Sequence, residues 1–362
     1  IQPQPGPDEP PERFNWDTPI VTSPHRAGRI YVASQRVWQS DDRGDFWTPI
    51  SDDLTGGANR YELPTGDRVW SVDDLYDHMA MSFYATITDL SESPVTEGVL
   101  YIGTDDGLVQ TSLDGGVTWR RSGELPGLPA EAFVNDVEAC LHRADAAFVA
   151  ADDHKNGDYT PYLYETVDRG ETWRSIRGDL PDGVTIWQIE QDHIDPDLLF
   201  IGAENGLYVS LDHGAHWHLL GKGPAGDGDS ATVPTIAMRD LAIQRRDDDL
   251  VAASFGRGFY VLDDYSPLRG LSADALAAPA TMFPIRRAWR YVPNRVMQAK
   301  GQPTLGSTAW RSDNPDFGAT ITYHLADDIQ TTRAARRTAE KDTEGDVEFP
   351  GWDRLWDEHL ET

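Results

Sequence analysis

The sequence predicts an all-β fold, a β-propeller of four-stranded blades, and three observations carry that prediction. A short turn signature, Ser/Thr-x-Asp-x-Gly-x-x-Trp, occurs four times: at Ser40, Asp42, Gly44, Trp47; at Ser112, Asp114, Gly116, Trp119; at Thr166, Asp168, Gly170, Trp173; and at Ser210, Asp212, Gly214, Trp217. Each copy follows short runs of alternating or apolar β-prone residues bounded by turn residues. The spacing from one turn tryptophan to the next is 72, 54 and then 44 residues, so units alike in kind are joined by loops of different length. About 40 to 50 residues carrying four strands is the arithmetic of a propeller blade.

Taken in order, residues 1–12 (IQPQPGPDEPPE) hold five prolines and no apolar periodicity, and read as an extended arm. Blades fill 13–270. The first runs from NWDTPIVTSP through RIYVASQRVWQS to Thr48-Pro49-Ile50; residues 51–76 are polar and rich in turn residues, a candidate functional loop before the second unit. The second unit is HMAMSFYATITDL, GVLYIGT and GLVQTS; the third FVNDVEACLHR, AAFVAA and PYLYET; the fourth TIWQIEQDH, LLFIGA and GLYVS. The fifth, TIAMRDLAIQ, DLVAAS and GFYVLDD, keeps Asp263-Asp264 at the turn but lacks its glycine and tryptophan. Residues 271–325 read as a connection ending in an alternating strand, FGATITYHL, that begins a further β-domain. Residues 326–362 form a charged tail, compatible with a solvated helix or with disorder; near its end Trp352, Leu355, Trp356 and Leu360 recur at helical spacing.

Composition narrows the function. The 362 residues carry 61 acids against 31 lysines and arginines, a formal charge of −30, which repels a phosphate backbone and excludes nucleic acid as a partner. No apolar run reaches the roughly 20 residues that span a bilayer as a helix. The single cysteine, Cys140, lies in an alternating strand and reads as a small buried apolar residue. No H-E-x-x-H, G-x-S-x-G, strand-linked G-x-G-x-x-G or cysteine pair occurs, so no metal site and no cofactor are expected. The acid-rich loop Ala151 to Asp158 is the one place where calcium is considered.

In the repeated turn each residue type has a mechanical role. The aspartate accepts backbone N–H groups, the glycine allows positive φ, and the tryptophan packs beside the hairpin. The four aspartates sit at equivalent places in separate blades and point apart, so they are scaffold rather than one site.

These turns match the Asp-box, or bacterial neuraminidase repeat, of sialidases, xyloglucanases and the sortilin-type propeller. Together with RFNWDTPI, SDDRGDFWTPISDDLT, GVLYIGTDDGLVQTSLDGGVTW, PYLYETVDRGETW, GLYVSLDHGAHW and GRGFYVLDD, they make residues 13–325 resemble large bacterial Asp-box proteins labelled glycosyl hydrolase or sortilin N-terminal-like. The resemblance implies an extracytoplasmic protein and a ring completed by blades or further domains beyond the five units here. It also implies that the box lies opposite the ligand face. That face then takes the loops between second and third strands, Asp105-Asp106-Gly107, Asp152 to Lys155, Glu204-Asn205-Gly206 and Phe255 to Gly258, with the inner-strand starts at His78, Asn135, Asp136, Trp187, Gln188, Arg239 and Asp240.

The expected ligand residues are Asp105, Asp106, Asp153, His154, Trp187, Glu204, Asn205, Arg239, Asp240 and Arg257. An acidic ring with a few arginines and aromatics suits a glycan, or a peptide or protein, bound without catalysis. The alternative is a polysaccharide-directed glycoside hydrolase, xyloglucanase- or sialidase-like, which needs two carboxylates about 5 to 10 Å apart across a cleft; the candidates are Asp106, Asp136, Asp153 and Glu204. A sialidase also needs an arginine cluster and an early Arg-Ile-Pro. No Arg-Ile-Pro occurs, and Arg286, Arg287 and Arg290 lie after the repeats.

Overall fold

The computed structural model describes residues 2–65, 68–69, 83–221, 233–288, 290, 317–327 and 330–360. They divide into two units, Ile1–Arg269 and Gly270–Thr362.

The first unit is a five-blade β-propeller. Blade 1 is β1 (Ile20–Thr22), β2 (Ile30–Ala33), β3 (Val37–Ser40) and β4 (Thr48–Pro49); a small hairpin, β5 (Pro64–Thr65) and β6 (Arg68–Val69), follows. Blade 2 is β7 (Ile87–Glu92), β8 (Leu100–Thr104), β9 (Val109–Ser112) and β10 (Arg120–Arg121). Blade 3 is β11 (Phe133–Ala139), β12 (Ala147–Asp153), β13 (Asp158–Thr166) and β14 (Arg174–Ser175). Blade 4 is β15 (Ile186–Gln191), β16 (Leu199–Ala203), β17 (Gly206–Ser210) and β18 (His218–Leu219). Blade 5 has three strands, β19 (Met238–Gln244), β20 (Asp249–Ser254) and β21 (Gly258–Leu262), in keeping with the degenerate turn read there from sequence.

The four turns lie between third and fourth strands and share one hydrogen-bond plan. The Ser or Thr hydroxyl accepts the glycine N–H at 2.8 Å in every copy and donates to the aspartate. The aspartate accepts the N–H four residues on, at 2.8–2.9 Å. The tryptophan does more than pack on its own hairpin, because it wedges against the preceding blade. Trp119 packs on the blade 1–2 core, Trp173 lies in the blade 2–3 core and Trp217 in the blade 3–4 core. Trp217 Nε1 also donates to Ile176 O of blade 3 at 3.1 Å.

Four apolar interfaces, one between each pair of successive blades, hold the array. Cys140 is buried in the third of them, as the sequence indicates. The end blades show the same registers uncovered. Ile20 in β1 is 71% exposed, whereas its counterpart Ile189 in β15 is 1% exposed; Val261 in β21 is 55% exposed, whereas its counterpart Val209 in β17 is 3% exposed. Trp47, with no preceding blade among the described residues, instead borders an apolar groove with Phe14, Ile20, Ile30 and Val32.

The proline-rich arm has no regular structure, yet it is pinned. Glu12, buried, accepts from Ser34 Oγ, Arg36 Nε (2.9 Å) and Trp38 Nε1 (3.3 Å).

In the second unit, α1 (Ala273–Ala277) precedes a two-stranded ribbon of β22 (Ala280–Met282) and β23 (Tyr323–Leu325). The strand expected over FGATITYHL is thus confined to its last three residues, the part that finds a pairing partner. The charged tail forms α2 (Thr332–Lys341) and α3 (Trp352–Leu360), joined by Arg336, which donates to buried Glu358 at 2.8 and 2.9 Å.

Candidate functional site

The inner strands carry the feature that builds the site. In β7, β11, β15 and β19 the pairing with the second strand slips by one residue at the same place, leaving Thr88, Asn135, Trp187 and Arg239 unpaired. Such a bulge kinks the strand and re-aims the extra side chain. Thr88 turns inward, donating to Val134 O at 2.6 Å. Asn135, Trp187 and Arg239, from three successive blades, line one cleft of about 660 Å³.

The second-strand ends and the loops that follow them supply more of the wall: Asp152, His154 and Lys155 from blade 3, Glu204 from blade 4, Phe255 from blade 5. Asn15, Trp16 and Asp17, just before β1, and Phe133, Tyr159 and Thr185 complete it. The repeated turns lie at the other ends of the same strands, so the two loop sets are separated by the length of a blade.

Its polar groups are tied together. Asn135 Nδ2 donates to Asp152 Oδ2 and to Ile186 O, both at 2.8 Å. Asp152 Oδ1 accepts the His154 N–H at 3.1 Å and is paired with His154 Nδ1. The His154 ring meets Trp187 edge-on, with centroids 5.6 Å apart. Trp187 Nε1 donates to Glu204 Oε2 at 3.0 Å. The Arg239 guanidinium lies 3.6 Å from the Trp187 ring centroid and 5.6 Å from that of Phe255, and Lys155 Nζ lies 4.5 Å from the Phe133 ring.

Of the residues predicted to bind ligand, His154, Trp187, Glu204 and Arg239 line this cleft. The others do not. Asp105 and Asp153 border a neighbouring hollow of about 210 Å³ with Arg60 and Tyr84. Asp105 accepts Thr86 N and Oγ1 at 2.7 and 2.8 Å, and burial pushes its carboxyl up to about 6. Asp106 accepts Gly56 N at 2.8 Å, and Asp153 accepts Asn156 Nδ2 at 2.6 Å. Asn205 bonds the Tyr208 hydroxyl, while Asp240 and Arg257 are exposed on blade 5. His78 falls outside the described residues.

The four catalytic candidates are not brought together: Glu204 alone among them lines the cleft. Asp136 points to the inner strand of blade 4, where it accepts Ile189 N at 2.9 Å, and is hydrogen-bonded to Asp89; burial and that neighbour push its carboxyl upward. Asp89 in turn accepts Val137 N at 2.6 Å, and Gln188 accepts Leu241 N, so these positions stitch one inner strand to the next.

In the loop considered for calcium, the carboxylates fold the loop itself. Asp152 and Asp153 are engaged as described, and Asp158 accepts Tyr162 Oη at 2.6 Å and Thr160 N at 2.9 Å. Among the described residues no group of three or more His, Cys, Asp or Glu could hold a metal ion.

Sequence reasoning passed over Trp16, Phe133 and Tyr159. Trp16 lies in RFNWDTPI, an aromatic among polar residues immediately before a first strand, which is the one signal available.

No model of a known protein family matches the chain, and no curated protein matches it. Among solved structures it is similar to a GH74 xyloglucanase from Xanthomonas campestris, with 18% identity, a TM-score of 0.50, and 70% of this chain aligned to 37% of that one. That likeness shows the propeller fold. It is also matched to a GH74 enzyme from Niastella koreensis, at 12% identity and TM-score 0.46 over 70% of this chain and 36% of that one. A third match is the extracellular domain of a one-component system from B. thetaiotaomicron, at 12% identity and TM-score 0.45 over 72% and 28%. The chain spans 28 to 37% of the lengths of these structures.

Proposed function

We propose that the cleft across blades 3 to 5 binds a carbohydrate without cleaving it. The observation that carries this reading is the set of exposed rings around it: Trp16 is 77%, Phe255 71% and Tyr159 54% exposed, beside the hydrogen-bonded Trp187. The C–H faces of a sugar ring are apolar and rest on aromatic faces, while fixed polar groups at the edge set its orientation. Bulged strand positions hold Asn135, Trp187 and Arg239 on the sheet rather than on loops, so the cleft is pre-shaped and its ordering cost on binding is small.

Binding of cello- and xyloglucan oligosaccharides, galactan and uronate oligomers, followed by calorimetry and tryptophan fluorescence, tests this. Trp187→Ala and Trp16→Ala are expected to weaken binding about tenfold or more, roughly 1.4 kcal/mol. Unchanged affinity in both variants refutes the assignment of the cleft.

Hydrolysis is the second reading, favoured by one observation: Asp17, Asp152 and Glu204 all line the cleft. A glycosidase needs two such groups at a set separation, one of them holding its proton. Asp152 and Glu204 instead accept hydrogen bonds from protein donors, which suits orientation more than proton transfer. Turnover of a bound glycan that disappears in Glu204→Gln or Asp152→Asn would establish the hydrolase.

Two wider readings complete the proposal. The uncovered faces of blades 1 and 5 repeat registers that are buried elsewhere, and further blades of the same design suit them. An extracytoplasmic setting accords with a glycan ligand and with the resemblance to Asp-box proteins. Among the described residues no helix is long and apolar enough to cross a membrane.

A further inference from the structure

Resting on the carbohydrate reading, we infer that the cleft takes an acidic sugar, a uronate-bearing oligosaccharide whose carboxylate is received by Arg239 with Lys155. The inference comes from which polar groups of the cleft are satisfied and which are not. Of the carboxylates of its wall, Asp152 has both oxygens bonded within the protein, and exposed Glu204 takes the Trp187 N–H on one oxygen. The cations are not so bonded. Among the described residues, neither Arg239 nor Lys155 forms an ion pair or donates a hydrogen bond to the protein; each is held by an aromatic ring instead.

Arg13, Arg29, Arg36 and Arg269 meet carboxylates at 2.5–3.3 Å, whereas other arginines such as Arg43 and Arg121 form no ion pair among the described residues. Arg239 and Lys155 are set apart by the rings that hold them, Trp187, Phe255 and Phe133, which line the cleft itself. Stacking fixes the flat face of Arg239 on Trp187 and leaves its N–H donors around the edge, the geometry that receives a carboxylate through two parallel bonds. Lys155 adds three rotatable donors in the same cleft. Asp17, the remaining acid, is exposed to water, where its repulsion is screened. A neutral sugar leaves both cations facing water; a uronate pairs them while its ring rests on Trp16, Tyr159 or Phe255.

The test compares trimers of galacturonate, glucuronate and mannuronate with the methyl esters of the same trimers, which keep the ring and remove the charge. Tri-glutamate controls for charge without sugar, and all are titrated calorimetrically at low and high salt. The expected result is that at least one free uronate binds tenfold or more tighter than its ester, with an affinity that falls as salt rises. Arg239→Gln and Lys155→Gln then lower the affinity for the uronate more than that for its ester and so erase the preference, and Arg239→Lys restores part of it. Esters bound as tightly as acids, or a preference unchanged in Arg239→Gln, overturn the acidic-sugar assignment and leave the carbohydrate reading standing. Tri-glutamate bound as tightly as the uronates overturns it in favour of a peptide. Loss of binding to every sugar, neutral ones included, removes the carbohydrate reading and this inference together.

Discussion

Gly202 offers the sharpest test of how the blades set the site. It lies in β16, paired with Gln188 of β15 immediately beside the Trp187 bulge, and blade 5 covers it. A Cβ added there would stand 2.6 Å from Met238 O, 3.3 Å from Met238 C and 3.5 Å from Met238 Cβ. The clash is with backbone, and with the residue that precedes Arg239, so β19 must move outward to make room. Gly202 does not need a left-handed φ, so the cost is steric, and loss of glycine's freedom in the unfolded chain offsets only about 0.4–1 kcal/mol of it. Gly202→Ala is therefore expected to destabilise by about 1–3 kcal/mol, and Gly202→Val by more. Ala253 is the internal control. It occupies the same register in blade 5, opposite Asp240, on the face that no further blade covers among the described residues. Ala253→Val should cost under about 0.5 kcal/mol, the range of surface changes. Urea unfolding read by tryptophan fluorescence checks both; with m near 2–3 kcal/mol/M, the Gly202→Ala midpoint falls by roughly 0.3–1.5 M. The moved Arg239 should weaken cleft binding as well. Equal midpoints for Gly202→Ala and Ala253→Val would refute the claim that blade packing holds the bulge.

The remaining predictions concern the scaffold and its protons. Ser210→Ala leaves the buried Gly214 N–H without its acceptor and should cost about 1–3 kcal/mol in denaturant unfolding. Trp217→Ala, which opens a cavity between blades 3 and 4, should cost about 3–5 kcal/mol; Trp47→Ala, beside an open groove, should cost less than half of that, and equal losses would argue against the wedge. Burial pushes Asp89 up to about 6 and Glu190 up to about 7, and Asp136 and Glu138 also shift upward, chiefly through burial. A carboxyl whose folded pKa is raised contributes stability that is fully present below its unfolded value near 4 and lost as pH rises through the folded value. Thermal melts should thus show stability falling between about pH 4 and 7 from these groups. Asp136→Asn, which imitates the protonated acid, should flatten that fall, and an unchanged profile would remove the inner-strand acids as its cause.

Much of the architecture was legible because its signals are local. The turn needs a hydroxyl, a carboxylate, a glycine and a tryptophan within eight residues, and the first three do their work within their own hairpin, so Ser210, Asp212 and Gly214 announce themselves in any order of blades. The unit that lacks the glycine and tryptophan after Asp264 is also the blade without a fourth strand, where the sequence predicts four. Alternation in GFYVLDD reports a strand but not whether its second face is covered, which depends on a neighbouring sheet.

The site was legible only in outline. The strand-2 to strand-3 loops and inner-strand starts are fixed by topology, and from them His154, Trp187, Glu204 and Arg239 could be named. Which of their neighbours turn inward is decided by register. The one-residue slips that send Asn135, Trp187 and Arg239 into the cleft, while Asp136 and Gln188 bond the next strand, leave no mark in composition or spacing. The sequence by itself determined the blade and its turn, since those follow from residues near one another in the chain. The tertiary structure alone decided which carboxylates are engaged and which cations are left free, because that balance is struck between side chains from three blades.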